Sequence, residues 1–217
     1  MTFSLSDIFS NLDDTNPDKA APVTPLPTVH YKDFEPVTII EPDIKTGPWI
    51  AGGAPLRWYQ GLPVGDSDID VFCRSPKQAM DIIERLKSFG RFTVKAESDN
   101  AITLDYWNKE SYDNRWTIQV IRRRFFNNYD EIIKNFDISV CQIVTDGTHV
   151  ELGEYTARDI REKNLRMTQP LHDDAVKRLT KYWVYGYRPV DGLLDAIVKN
   201  PTSRWEFNPG EDYQNAF

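Results

Sequence analysis

Apolar and polar positions alternate most regularly in Asp68-Ile69-Asp70-Val71-Phe72. In a strand, residues two apart point to one face, so the spacing sets Asp68 and Asp70 side by side and Ile69 and Val71 opposite. A period of three to four follows: Ala79, Ile82, Ile83, Leu86 and Phe89 make one buried stripe of a helix from Pro76 to Phe89. Ser75 is its cap, Pro76 suits its first position and Gly90 ends it. Three strand-like runs come next, Arg91 to Ala96, Ala101 to Trp107 and Trp116 to Arg122, then a short helix over Tyr129 to Asn135. Ile138 to Val144 and Thr148 to Leu152 flank Asp146-Gly147, a hairpin turn signal. Beyond it the pattern is helical: Ala175, Leu179, Tyr182 and Trp183 form one stripe, and Leu194, Ile197 and Val198 another, separated by Gly186 and Pro189. The sequence predicts an α+β fold: a mixed, twisted sheet with the acidic pair on a central strand, helices on its faces and a C-terminal helical part.

Ahead of Trp49 the pattern breaks. Pro17, Pro22, Pro25, Pro27, Pro36, Pro42 and Pro48 interrupt both helix and sheet. The expected division is a Pro-rich, extended N-terminal arm over 1–48, an α/β core over 49–155, and a C-terminal helical part and tail over 156–217. Phe3, Leu5, Ile8, Phe9 and Leu12 recur near helical spacing, a short amphipathic tip suited to docking on a protein partner.

Composition changes this picture little. At 217 residues and 40% hydrophobic content the chain supports one real core. Its formal charge of −7 argues against sequence-independent nucleic-acid binding through a broad basic surface. Cys73 and Cys141 form no disulfide or metal framework and read as buried small hydrophobes. His30, His149 and His172 lack zinc-ligand spacing. No signal peptide and no apolar run of membrane-spanning length is visible. The expectation is a soluble protein of the cytoplasm, the host's if a phage encodes it, or a virion-associated one.

Two adjacent carboxylates repel unless a cation lies between them. A hard divalent ion fits such oxygen ligands, and Mg²⁺ commonly takes one or two carboxylates plus substrate phosphates. Upstream, Ile50-Ala51 leads into Gly52-Gly53, where the backbone is open to close approach by a ligand.

A Gly pair, a short spacer and an alternating Asp pair resemble the nucleotidyltransferases of the DNA polymerase β superfamily. Further elements resemble a poorly characterised group of that superfamily seen in phages, large viruses and fungi. They are Ile118-Gln119-Val120-Ile121, Phe136-Asp137 with Cys141, Asp146-Gly147, and Arg178-Leu179-Thr180-Lys181-Tyr182. The resemblance spans Ile50 to about Pro189. It implies transfer of a nucleoside monophosphate from an NTP to an acceptor, which would be a nucleic-acid end, a protein or a small molecule. It implies Mg²⁺ or Mn²⁺ on Asp68 and Asp70, with triphosphate on the Gly52-Gly53 backbone. Lys181 is a candidate nucleotide contact.

A third carboxylate usually completes such a site. The strand from Trp116 to Arg122 offers only Gln119, a neutral amide. Asp137 is the favoured third catalytic and metal-binding residue, and Asp105 the alternative. Arg122-Arg123-Arg124 reads mainly as a solvated strand end, and Trp183, Tyr185 and Tyr187 mainly as core. Three function classes stay open: an active, Mg-dependent nucleotidyltransferase; a catalytically inactive binding or phage structural protein on the same fold; and a glycosyltransferase, whose metal is also held by an Asp-x-Asp pair. The last fits least, because no long α/β nucleotide domain precedes the pair.

Overall fold

The computed structural model describes residues 35–62, 67–107, 115–169, 175–190 and 192–193. The amphipathic tip at Phe3–Leu12, His30, His172 and the stripe from Leu194 to Val198 lie outside them.

Seven strands form one sheet in the order β3-β4-β5-β2-β1-β6-β7. They are β1 (Trp49–Ala51), β2 (Ile69–Phe72), β3 (Phe92–Glu97), β4 (Ala101–Trp107), β5 (Arg115–Ile121), β6 (Ile143–Thr145) and β7 (Val150–Leu152). β2 is the middle strand. It runs parallel to β5 and antiparallel to β1, and the other pairings are antiparallel, so the sheet is mixed. The α+β expectation and the central acidic strand both hold.

The alternation in β2 works as the sequence implies. Ile69 and Val71 enter the main core with Ile102, Leu104, Ile118 and Val120 from the neighbouring strands. The helix α3 (Pro76–Ser88) seals that core with Ala79, Ile82, Ile83 and Leu86. Its Ser75 hydroxyl accepts from the Gln78 amide at 3.2 Å, satisfying an otherwise orphaned N–H. On the other face, α4 (Tyr129–Asn135) covers only the β1, β6 side, packing Ile132 and Ile133 on Trp49, Ala51, Phe72 and Val144. The Asn128 side chain caps it by accepting from Glu131 N at 3.0 Å.

Three expectations are corrected. Residues 35–48, assigned to the arm, belong to the packed body. Helix α1 (Glu35–Ile40) sets Val37 and Ile40 in the main core beside α3. Its Pro36 lies in the first turn, where a missing N–H costs nothing. Second, the short spacer between the Gly pair and the Asp pair holds a helix: α2 (Gly53–Tyr59) begins at the Gly pair. Pro55, also in a first turn, is compatible with it. Third, Ile138 to Val144 is not one strand. Ser139–Cys141 is a 3₁₀ turn, and only Ile143–Thr145 joins the sheet. The Ser139 amide donates to Arg166 O instead of a strand neighbour. The C-terminal part is mainly helical, as the sequence implies, with one short strand pair besides. Between α5 (Thr156–Glu162) and α6 (Ala175–Val184) lies β8 (Asn164–Leu165), which pairs in parallel with β9 (Arg188–Pro189).

The Asp146-Gly147 hairpin forms as expected. Asp146 Oδ1 accepts from the Thr148 and His149 amides at 2.8 and 2.6 Å, and Gly147 takes a positive φ of 85°. Cys73 and Cys141 are both free and buried. No described helix is long and apolar enough to cross a membrane.

Candidate active site

The register fixes what surrounds the acidic pair. Asp70 lies between Ala51 of β1 and Gln119 of β5, and Gln119 faces Thr103 of β4. Asp68 sits just before β2, alongside Thr117, which pairs with Asp105. One sheet face therefore carries Asp68, Asp70, Gln119, Thr103, Thr117 and Asp105 together.

Gly52 is required at the end of β1. Its φ of 85° is left-handed, and a Cβ there would stand 3.4 Å from the Phe136 ring and 3.5 Å from Asp70 Oδ2. Those are ordinary contact distances, so the left-handed backbone, and not lack of room, is what asks for glycine here.

Burial, with Asp68 next to it, pushes the Asp70 pKa up to about 7, against the pull of Lys181 and Arg178. Burial also raises Asp68, while Lys95 and Lys181 pull it down. The pair thus faces positive charge from two sides, Lys95 on β3 and the α6 cations. Two repelling, partly desolvated carboxylates are the expected state of ligands poised for a cation. Among the described residues, however, no three His, Cys, Asp or Glu side chains converge to hold a metal. The donor set fits a divalent ion that takes its remaining ligands from phosphate and water.

A stability measurement checks this electrostatic state. A raised carboxylate pKa means that the folded protein binds more protons than the unfolded chain between pH 4 and 7. Stability is then lost as pH rises through that window. In the presence of EDTA, Asp70→Asn is expected to match wild type near pH 4 and exceed it at pH 8, by on the order of 2–4 kcal/mol. Equal unfolding midpoints at pH 8 count against the strained pair.

A cleft of about 160 Å³ opens beside the pair, between α2 and α6. Gly53 and Ser67 line the end next to the carboxylates. Arg57, Lys163 and Lys181 supply cations, and Tyr182, Tyr185 and Tyr187 supply aromatic wall. Gly53 and Arg57 share a face of α2, and Tyr185 follows the end of α6, its amide donating to the Lys181 carbonyl at 3.3 Å. The sequence reading found Lys181 but missed Arg57, Lys163 and Ser67. Lys163 ends α5 in the left-handed region (φ 55°) with its ammonium 4.5 Å over the Tyr187 ring, a placement that no local pattern signals. Tyr187 is buried in core, as expected for it, while Tyr185 is half-buried at the cleft.

Asp137 is 4% exposed, and its Oδ1 lies 2.6 Å from Arg178 Nη1. Its carbonyl accepts from Thr168 N at 2.7 Å, which ties the Phe136-Asp137 element to the segment after β8. The structure gives this carboxylate an arginine partner, and that arginine acts on Asp70. Asp105 shares the sheet face of the pair but lies one strand beyond Gln119. It accepts from Thr117 Oγ1 at 2.9 Å and has Lys95 Nζ at 3.5 Å. In the arginine run, Arg122 pairs with Glu97 and Arg124 with Asn135, both at the surface.

This arrangement has known counterparts in fold. A CCA-adding enzyme in its apo form superposes with a TM-score of 0.53 at 15% identity, over 78% of this chain and 39% of that one. The Thermotoga maritima CCA-adding enzyme complexed with tRNA gives 0.52 at 16%, over 77% and 45%. A CCA-adding enzyme complex with ATP gives 0.53 at 14%, over 77% and 44%. The chain therefore spans less than half the length of these enzymes, and at such identities the likeness shows a nucleotidyltransferase-like fold. No curated protein matches the sequence. The sequence model of one family matches residues 28–163, more than half of the chain and all of the sheet; the chain belongs to the Gabija anti-defense 2 family.

Proposed function

We propose that this protein transfers a nucleoside monophosphate from an NTP to an acceptor hydroxyl. The observation that carries the reading is the partition of charge about β2: a carboxylate pair on the strand, and a cation-lined, tyrosine-walled cleft directly beside it. Asp68 and Asp70 would hold Mg²⁺ or Mn²⁺, which when bound neutralises charge building on the triphosphate. The Gly52-Gly53 backbone and Lys181 take the phosphates, because Lys181 reaches both the cleft and the field of the pair. Tyr185 offers a face for the base.

Asp137 serves this site through Arg178. Its carboxylate fixes the guanidinium beside Asp70, where the charge acts on the carboxylate pair and on phosphate. It is thus a positioning residue, and Gln119 holds the sheet position where a third acid would lie. Asp137→Asn is expected to cost about 2 kcal/mol of stability, less than for a fully buried pair because Arg178 is 39% exposed. It should also weaken NTP binding, and Arg178→Lys should restore neither. Unchanged NTP affinity with turnover lost would instead make Asp137 a metal ligand.

The family's name suggests that the transfer disables a component of Gabija defence. The reading is tested by incubating the full chain with each α-³²P NTP and Mg²⁺ or Mn²⁺, with host RNA and host protein as acceptors. Metal-dependent labelling of either supports it. Tight NTP binding with no transfer supports the second reading, a binding protein on a transferase fold, which Gln119 beside Asp70 favours.

A further inference from the structure

The sheet is covered unequally. The face that carries Ile69, Ile102, Leu104 and Ile118 is sealed by α1 and α3. The opposite face is covered by α4 only over β1, β6 and the end of β2. Across β3, β4 and β5 it is polar and accessible: Thr93 and Lys95 are exposed, and Thr103, Asp105, Thr117 and Gln119 half-buried. A register shift at Lys95, between Val94 and Ala96, places the extra residue beside Asp105. These side chains hold one another: Thr117 donates to Asp105, and Gln119 Nε2 to Thr103 Oγ1 at 3.4 Å.

This face lacks the cleft's excess of cations. Among the residues whose side chains are described, its charges beyond the metal-binding pair are Asp105 and Lys95, which face each other at 3.5 Å, so this part of the face carries no excess of cations. The cations Arg57, Lys163 and Lys181 lie on the other side of the pair. A strand of RNA brings a negative charge with every nucleotide and needs lysine or arginine along its track. This face offers hydroxyls, an amide and carboxylates. Counted with β2 it is about 14 Å across, four strands spaced ~4.8 Å apart, and its outer residues Thr93 and Lys95 are exposed, whereas small molecules take concave pockets.

We infer that the acceptor is a polypeptide, neutral or basic, which lies across the β3-β4-β5 face and presents a Ser, Thr or Tyr hydroxyl to the acidic pair. This rests on the transfer reading above. The hydroxyl oxygen attacks the α-phosphorus of the NTP and the bond to the β-phosphate oxygen breaks. Pyrophosphate leaves, the hydroxyl proton passes to solvent, and a phosphodiester joins side chain to nucleoside. No electron transfer is involved.

The test uses the full chain, α-³²P ATP, CTP, GTP and UTP, Mg²⁺, and two acceptor pools from the same bacterial lysate: total RNA stripped of protein, and protein stripped of nucleic acid. Label is expected in the protein pool, removed by protease and resistant to nuclease. Thr103→Arg is expected to lower that labelling at least tenfold and leave NTP affinity within twofold. Thr93→Arg, at an exposed edge-strand position, serves if the first variant does not fold. Label in RNA, or only in small molecules, overturns the inference and leaves the transfer reading standing. So does protein labelling that neither arginine variant changes. No label in any pool, with NTP still bound, removes the transfer reading and this inference with it.

Discussion

The double variant Asp68→Asn, Asp70→Asn is expected to lose metal-dependent NTP binding and to lower transfer at least about a thousandfold. That follows if a few kcal/mol of charge stabilisation are removed at ~1.4 kcal/mol per tenfold. The fold should survive and gain stability, because Asp70, held at a pKa of about 7 by burial and by Asp68, is then neutral at every pH. These opposite signs make the experiment discriminating. Calorimetry with Mg²⁺ measures binding, and a thermal scan measures the fold. A variant that unfolds says that the carboxylates are structural. A variant that binds NTP with unchanged affinity in Mg²⁺ says that the cleft cations carry binding alone, and the metal assignment falls.

Ile40→Ala is expected to destabilise the protein by about 2–5 kcal/mol, the range for truncating a fully buried aliphatic side chain. Ile40 has no exposed surface and packs in the main core, and its helix is tied to α3 by Arg85. The Arg85 guanidinium donates to the Ile40 carbonyl at 3.1 Å and pairs with Glu41. Removing residues 1–48 should therefore abolish cooperative unfolding altogether. The exposed Lys77–Asp81 pair is the contrast, since Lys77→Ala should leave the denaturant midpoint essentially unchanged. Denaturant midpoints measure all three. A small effect at Ile40 would return residues 35–48 to the arm.

The second case shows where sequence patterns mislead. Prolines at 36, 42 and 48 read as a break in regular structure. A proline in the first turn of a helix breaks nothing, and only the packing of Val37 and Ile40 on α3 distinguishes a short helix from a linker. Pro55 likewise lies in the first turn of α2 and leaves that helix intact. The split of Ile138–Val144 depended on partners far along the chain, since the Ser139 amide is satisfied by Arg166.

What the sequence determined by itself was local and periodic. Alternation of two placed the carboxylates on one face of a strand, a period near 3.6 with Ser75 and Pro76 placed α3, and Asp146-Gly147 placed a hairpin. Backbone geometry and burial dictate these from neighbours alone. The surroundings of the pair were decided only by tertiary structure. The parallel β2–β5 pairing set Gln119 beside Asp70 and left Asp105 one strand away. The return of α6 over the sheet brought Arg178 to Asp137 and Lys181 to the cleft. A charge finds its partner through the field of the folded chain, across some forty residues for Asp137 and Arg178, and no spacing along the sequence encodes which one it meets.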